Sequence, residues 1–158
     1  MYTSALKQLI EYAILLEFEA AYTYRAYGAF FDHPEVAYPG FAKYFKNEAE
    51  DELTHADVFI KYHQSRGGFA THEGVPKVDT SKLTPMVAFR QARDMEMLIR
   101  DNIANISKIA DPQTLTFIDD YLKIQTDSIA EYTMLITKTS RMDNNTMGLY
   151  LLDLELQK

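Results

Sequence analysis

Apolar residues along the chain recur at helical spacing, and the recurrence breaks in four places. The breaks are "DHPEVAYPG" (32–40), "RGGFATHEGVPKVDTSKLTP" (66–85), "ADPQ" (110–113) and "RMDNNTMG" (141–148). In them glycine, proline, asparagine and aspartate collect, the residues of turns and helix ends. Between them the spacing predicts helices at about 3–31, 38–66, 85–110, 112–140 and 146–156. Four long helices, with one connection of roughly twenty residues, predict an all-α four-helix bundle with one long crossover connection. A short C-terminal fifth helix follows the bundle.

The same periodicity sorts inward from outward positions, at about 100° per residue. On the first helix Leu6, Ile10, Ala13, Ala21, Tyr24 and Gly28 share a stripe, with Glu17 at its centre and Glu19 facing away. On the second, "FKNEAEDELTHADVF" (45–59) packs four acids into five positions. Phe41, Phe45, Ala56 and Phe59 share a stripe there with Glu48, Glu52 and His55, while Glu50 and Asp57 point the opposite way and Asp51 lies at the flank. Glu52 and His55, three apart, are neighbours on a helix surface. The third stripe is Phe89, Ala92, Ile99 and Ile103 around Glu96. The fourth is Ile118, Tyr121, Leu122, Ile129, Tyr132 and Ile136 around Gln125. Each long helix therefore carries a ligand-type side chain in the middle of its apolar face. Arg93 and Arg100 lie only at the edge of theirs.

Composition narrows the chemistry. A chain of 158 residues is long enough for one domain and one core, expected over 1–158. With 47% hydrophobic residues it has enough apolar surface to fold. There is no cysteine, which excludes a disulfide scaffold, a cysteine zinc site, a rubredoxin-type iron centre and a cysteine nucleophile. The net charge of −7 argues against a nucleic-acid surface. Lys7, Glu11 and Glu17 in the opening segment fit neither a signal peptide nor a membrane span, so a cytoplasmic protein is expected.

A buried carboxylate costs several kcal/mol or gives up its charge. Three of them at similar depth repel one another, and bound cations would neutralise them. Oxygen ligands with one imidazole suit iron or manganese. His33, His63 and His72 fall in or near breaks and read as surface residues.

At these residues the sequence resembles a ferritin. "EFEAAYTY" is similar to the first ferroxidase segment, a Glu with a Tyr seven later (Glu17, Tyr24). "PGFAKYFKNEAEDELTHADVFIKYHQSRGG" resembles the second ferritin helix and carries its Glu-x-x-His as Glu52 and His55. "MEMLIRDNI" resembles the third segment and supplies Glu96; "YLKIQTDSI" resembles the fourth and supplies Gln125; "NTMGLYLLDLEL" resembles the short fifth helix. Departures separate the subfamilies. Bacterioferritins carry a second Glu-x-x-His where this chain has Gln125-Thr126-Asp127-Ser128, and Leu53 stands in place of their haem-ligating Met, so no haem is expected. Rubrerythrins would need cysteines. The DNA-binding mini-ferritins build their site between subunits and lack the fifth helix. Ser128 replaces an acid that feeds a third iron site in many prokaryotic ferritins, and Glu48, which has counterparts in some prokaryotic and algal ferritins, is expected to hold iron in transit.

The resemblance implies a non-haem, prokaryotic-type ferritin: a ferritin-like bundle that oxidises Fe(II) with dioxygen at an intra-subunit di-iron centre. It stores the ferric product in a hollow homo-oligomer of twenty-four subunits. In that scheme Glu17 and His55 ligate the first iron, Glu52 bridges, and Glu96 ligates the second. Gln125 bonds a bound water or oxygen species, and Tyr24 bonds a site carboxylate and can donate an electron. Asp119 and Asp120 are the nearest matches to threefold-channel acids. The fifth helix, with Met147, Leu149, Leu151, Leu152, Leu154 and Leu156, is apolar nearly all round and is expected to be buried against copies of itself. Two other readings stand beside this one: a di-metal oxidase or oxygenase on the same bundle, and a metal-free structural shell.

Overall fold

A computed structural model describes residues 1–142 and 144–158; residue 143, inside the fourth predicted break, lies outside the described residues. Its elements are α1 (Ser4–Asp32), α2 (Pro39–Ser65), α3 (Pro85–Ile109), α4 (Pro112–Ser140) and α5 (Thr146–Leu156). Each bound lies within a residue of the one the periodicity predicts. Local chemistry explains the precision. Thr3, Thr84, Asp111 and Asn145 each accept a hydrogen bond from a backbone N–H in the first turn of the helix that follows. Proline opens α2, α3 and α4, where its fixed φ suits a helix and its missing N–H is not needed.

The helices form a four-helix bundle. α1 packs on α2 and α3 on α4, and α1 also meets α3. The non-helical segment 66–84 carries the chain from α2 to α3, which is the long crossover. The core runs the length of the bundle through Leu6, Ile10, Tyr24, Phe31, Phe41, Phe45, Phe59, Phe89, Ile99 and Ile118. Among the described residues, no helix is long and apolar enough to cross a membrane.

α5 lies against the bundle along one side. Only Leu152 and Asp153 are buried, and they face the chain's own bundle; Met147, Tyr150, Leu151 and Leu154 stay exposed. The helix is seated by Leu152 and Leu156 against the core and by an acid. Tyr38, at the start of α2, supplies no side-chain cap. The Phe41 N–H donates instead to Asp153 Oδ1 at 2.9 Å, so α5 caps α2 from across the fold. Gly40 permits this contact, because a Cβ there would collide with the Asp153 backbone.

His63 is a correction. It is fully buried, not at the surface. Its Nδ1 lies 2.7 Å from the Tyr2 hydroxyl and its Nε2 3.3 Å from Glu11 Oε1. The backbone of Gly68 closes over its ring with no room for a side chain.

Candidate metal centre

Midway along the bundle the four apolar stripes bring their polar residues together. Glu17 from α1, Glu96 from α3 and Gln125 from α4 are fully buried, and Glu52 from α2 nearly so. His55, one turn on from Glu52, is partly buried and turns its Nδ1 inward. That nitrogen lies 3.2 Å from Glu52 Oε2 and 3.7 Å from Glu17 Oε2. One ligand atom from each of Glu17, Glu52 and His55 falls within 4.8 Å of the others. The Tyr121 ring meets the His55 imidazole edge-on at 5.7 Å and backs it from α4.

The carboxylates differ in how the protein holds them. Glu96 is held at both oxygens: Tyr24 Oη donates to Oε1 at 2.8 Å. The Gln125 carboxamide, oriented to satisfy both its ends, places its nitrogen 2.7 Å from Oε2 and 3.2 Å from the Glu96 carbonyl oxygen. Glu17 is the opposite case. Neither of its oxygens accepts a hydrogen bond among the described residues, and 3.7 Å to His55 is beyond hydrogen-bonding range. A buried acid with both oxygens unpartnered costs free energy that a cation would recover.

Electrostatics agree. Burial pushes the Glu52 carboxyl up to about 8, with Glu17 adding to the rise and His55 opposing it. Burial alone would lower His55, but the Glu17 and Glu52 carboxylates outweigh it and raise the imidazole to about 10. Glu96 is also driven well above the ordinary carboxylate range, by burial first and then by Glu52. Without a cation this centre keeps extra protons to hold its charge down.

Glu48 lies on the inward stripe as predicted, partly buried, with the Tyr132 hydroxyl donating to Oε2 at 3.3 Å. Its carboxyl rises to about 8, through burial and then the nearby Glu131 carboxylate. Sequence reasoning passed over Glu131, an exposed position three residues beyond Ser128 on α4. Glu50 and Asp57 are exposed as expected, Asp51 at the flank is exposed too, and Glu19 is partly exposed. Asp119 and Asp120 are exposed on α4.

Residues 7–142 match the family model described as a ferritin-like domain. The chain is similar to a soma ferritin of Lymnaea stagnalis, 31% identical over 148 residues that cover 90% of this chain and 84% of the relative. It is similar to a ferritin middle subunit of Aquarana catesbeiana, 30% identical over 160 residues, covering 96% and 91%. A chloroplastic ferritin of Malus baccata var. xiaojinensis is 30% identical over 151 residues; the chain spans 60% of its length, and 89% of the chain takes part.

Proposed function

The chain belongs to the ferritin-like family, and on that premise we propose that it oxidises Fe(II) with dioxygen and stores the ferric product within an assembly of its own copies. The observation that carries this reading is Glu17: a fully buried carboxylate, unpartnered at both oxygens, aimed at Glu52 and the inward nitrogen of His55. Such an arrangement is costly for a bare bundle and apt for a cation.

In this reading iron is the substrate. Glu17, His55 and Glu52 receive one Fe(II); Glu52 and Glu96 receive the second. Binding displaces the protons that Glu52 and His55 hold in the iron-free protein, so uptake releases protons and weakens in acid. Tyr24 and Gln125 fix Glu96 in place, so that ligand is oriented before iron arrives. Each Fe(II) gives one electron to dioxygen. Two Fe(II), one O2 and two protons yield two Fe(III) and one H2O2. Glu48, one turn along α2 from Glu52, hands iron to and from the pair. The whole chain, 1–158, serves as one di-iron domain in a shell of twenty-four subunits working in the cytoplasm. The exposed apolar face of α5 supports burial against other copies.

The test is aerobic Fe(II) addition to iron-free protein, followed in the ultraviolet with parallel sizing. The expected result is rapid oxidation of two Fe(II) per subunit, then accumulation of iron in a large particle. Glu52→Ala and His55→Ala should lose the rapid phase. Near-native rapid oxidation in both variants would remove the site assignment. A wild-type protein that runs as a monomer or dimer and holds no iron would remove the storage reading.

A further inference from the structure

We propose that Tyr121 is a positioning residue for the centre: its ring, held in an aromatic seam between α2 and α4, sets the His55 imidazole with Nδ1 inward for the first iron. The proposal rests on the ferroxidase reading above and names what orients that reading's one nitrogen ligand.

The ligands of the two iron positions are held in different ways. Glu96, on the second, is fixed by hydrogen bonds at both oxygens, from Tyr24 and Gln125. His55 has no such fixture. Its Nδ1 faces Glu52 and Glu17, the groups with which it would share the metal. Its Nε2 makes no hydrogen bond among the described residues. A ligating imidazole is usually oriented by a bond from that second nitrogen. The His55 side chain is also 19% exposed, against 0% for Glu17 and 4% for Glu52. It is the ligand with an open side toward which to turn.

Packing supplies what hydrogen bonding does not. The Tyr121 ring stands nearly perpendicular to the imidazole, at 84° and 5.7 Å between centroids. Perpendicular pairs at that separation hold a preferred mutual orientation. Tyr121 is itself fixed, because rings from α2 and α4 alternate along the seam. Tyr121 lies 4.6 Å from Phe59, one turn beyond His55 on α2. Phe59 meets Phe117 at 5.2 Å, one turn before Tyr121 on α4. Phe117 stacks on Tyr62 at 3.8 Å, and the Tyr62 hydroxyl closes the seam 2.7 Å from Thr114 Oγ1. The wall behind His55 is therefore anchored over two turns of both helices.

The ring carries the role, not the hydroxyl. Tyr24, Tyr27, Tyr62 and Tyr132 engage their hydroxyls in hydrogen bonds within the bundle, whereas Tyr121 has none among the described residues. Phenylalanine at 121 keeps the wall. An aliphatic residue fills space but has no rigid plane to fix the plane of the imidazole. Once the imidazole can turn, iron finds Nδ1 inward for only part of the time, and its apparent dissociation constant rises by the inverse of that fraction. An imidazole inward for a tenth of the time weakens the first iron about tenfold. Glu52 and Glu96 still form the second position, so the loss falls on the first.

The test pairs two measurements on the assembled, iron-free protein. The first is titration with Co(II) without oxygen, followed by calorimetry and by the visible spectrum of the bound ion. Tyr121→Leu should bind the first Co(II) about tenfold more weakly than wild type, and Tyr121→Phe within about twofold of it. Phe117→Leu removes a ring of the same seam one step from His55; it should melt lower and keep the first affinity. In a His55→Ala background Tyr121→Leu should weaken binding no further. An unchanged affinity in Tyr121→Leu overturns the inference. So does a loss in Tyr121→Phe or Phe117→Leu as large as in Tyr121→Leu, or an undiminished loss in the His55→Ala background. If Tyr121→Leu does not assemble, Tyr121→Met is read in its place. The second measurement is a crystal structure of the metal-free Tyr121→Leu protein, in which His55 Nδ1 should have left its 3.2 Å approach to Glu52. An unmoved imidazole overturns the inference whatever the protein does with metal. A wild-type protein that binds no Co(II) removes the centre instead, so the two failures are distinguishable.

Discussion

Replacing Glu17 with methionine should make the iron-free protein more stable and the metal-loaded protein less so. Glu17 is fully buried and neither oxygen is hydrogen-bonded. Leaving a buried polar group unsatisfied costs about 1–3 kcal/mol. Methionine has a similar length, no polar demand and enough flexibility to fill the space. His55 keeps Glu52 at 3.2 Å but loses the Glu17 carboxylate 3.7 Å away, which offsets part of the gain. The expected gain in metal-free buffer is therefore at most about 1–3 kcal/mol, or roughly 2–10 °C in melting midpoint for a chain of this size. Adding a redox-inert divalent cation such as Zn(II) should reverse the order. At a hundredfold excess over its dissociation constant a ligand adds about 2.7 kcal/mol to the form that binds it, and the variant lacks one of three clustered ligands. The assay is thermal unfolding by circular dichroism with chelator and with Zn(II), at one scan rate because large assemblies unfold irreversibly. A variant that melts below wild type in chelator, or gains as much from Zn(II), would refute the idea that Glu17 is a strained ligand awaiting a cation.

Three further outcomes follow from other parts of the fold. Glu52 binds its proton more tightly folded (about 8) than at its ordinary 4.5, and His55 does so at about 10 against 6.5. Both contributions are present at low pH and lost as pH rises, across 4.5 to 8 for Glu52 and 6.5 to 10 for His55, so iron-free stability should fall from about pH 4.5 to about pH 10, and Glu52→Gln should flatten the lower part of that fall. Gly40→Ala should force α5 off the start of α2 at a cost of about 1–3 kcal/mol, seen as faster amide exchange over 146–156 with the bundle intact. Leu151→Asp, at an exposed position, should disturb assembly and leave the subunit folded, whereas Leu152→Asp, inside the bundle, should lower subunit stability itself; equal effects in sizing and melting would remove the distinction.

The bundle and its centre were legible because their signals are local or periodic. Helix starts are written in Thr3, Thr84, Asp111, Asn145 and three prolines, each acting within one turn of itself. Glu17, Glu52, Glu96 and Gln125 stand out because each interrupts an apolar stripe, and burial of that stripe carries them inward. What was misread or not anticipated depends on contacts remote in sequence. His63 read as a surface residue near a break, but Tyr2, 61 residues earlier, holds it inside. A helix apolar on every side, as α5 is, has no face to read; Asp153, 112 residues beyond Phe41, decides which side goes in. Glu131 is exposed on its own helix and acquires meaning only when packing brings α4 beside Glu48. The contact of the Gln125 carboxamide with Glu96 was not anticipated, because that pairing needs the relative depth of two helices.

The most direct measurement is iron-edge anomalous diffraction from crystals of the iron-free protein soaked in Fe(II) without oxygen. Two peaks per subunit are predicted inside the bundle: one in contact with Glu17, Glu52 and His55, the other in contact with Glu52 and Glu96. Iron found only on surface acids, or no iron between these side chains, would contradict the assignment of this buried cluster as the centre where Fe(II) is oxidised.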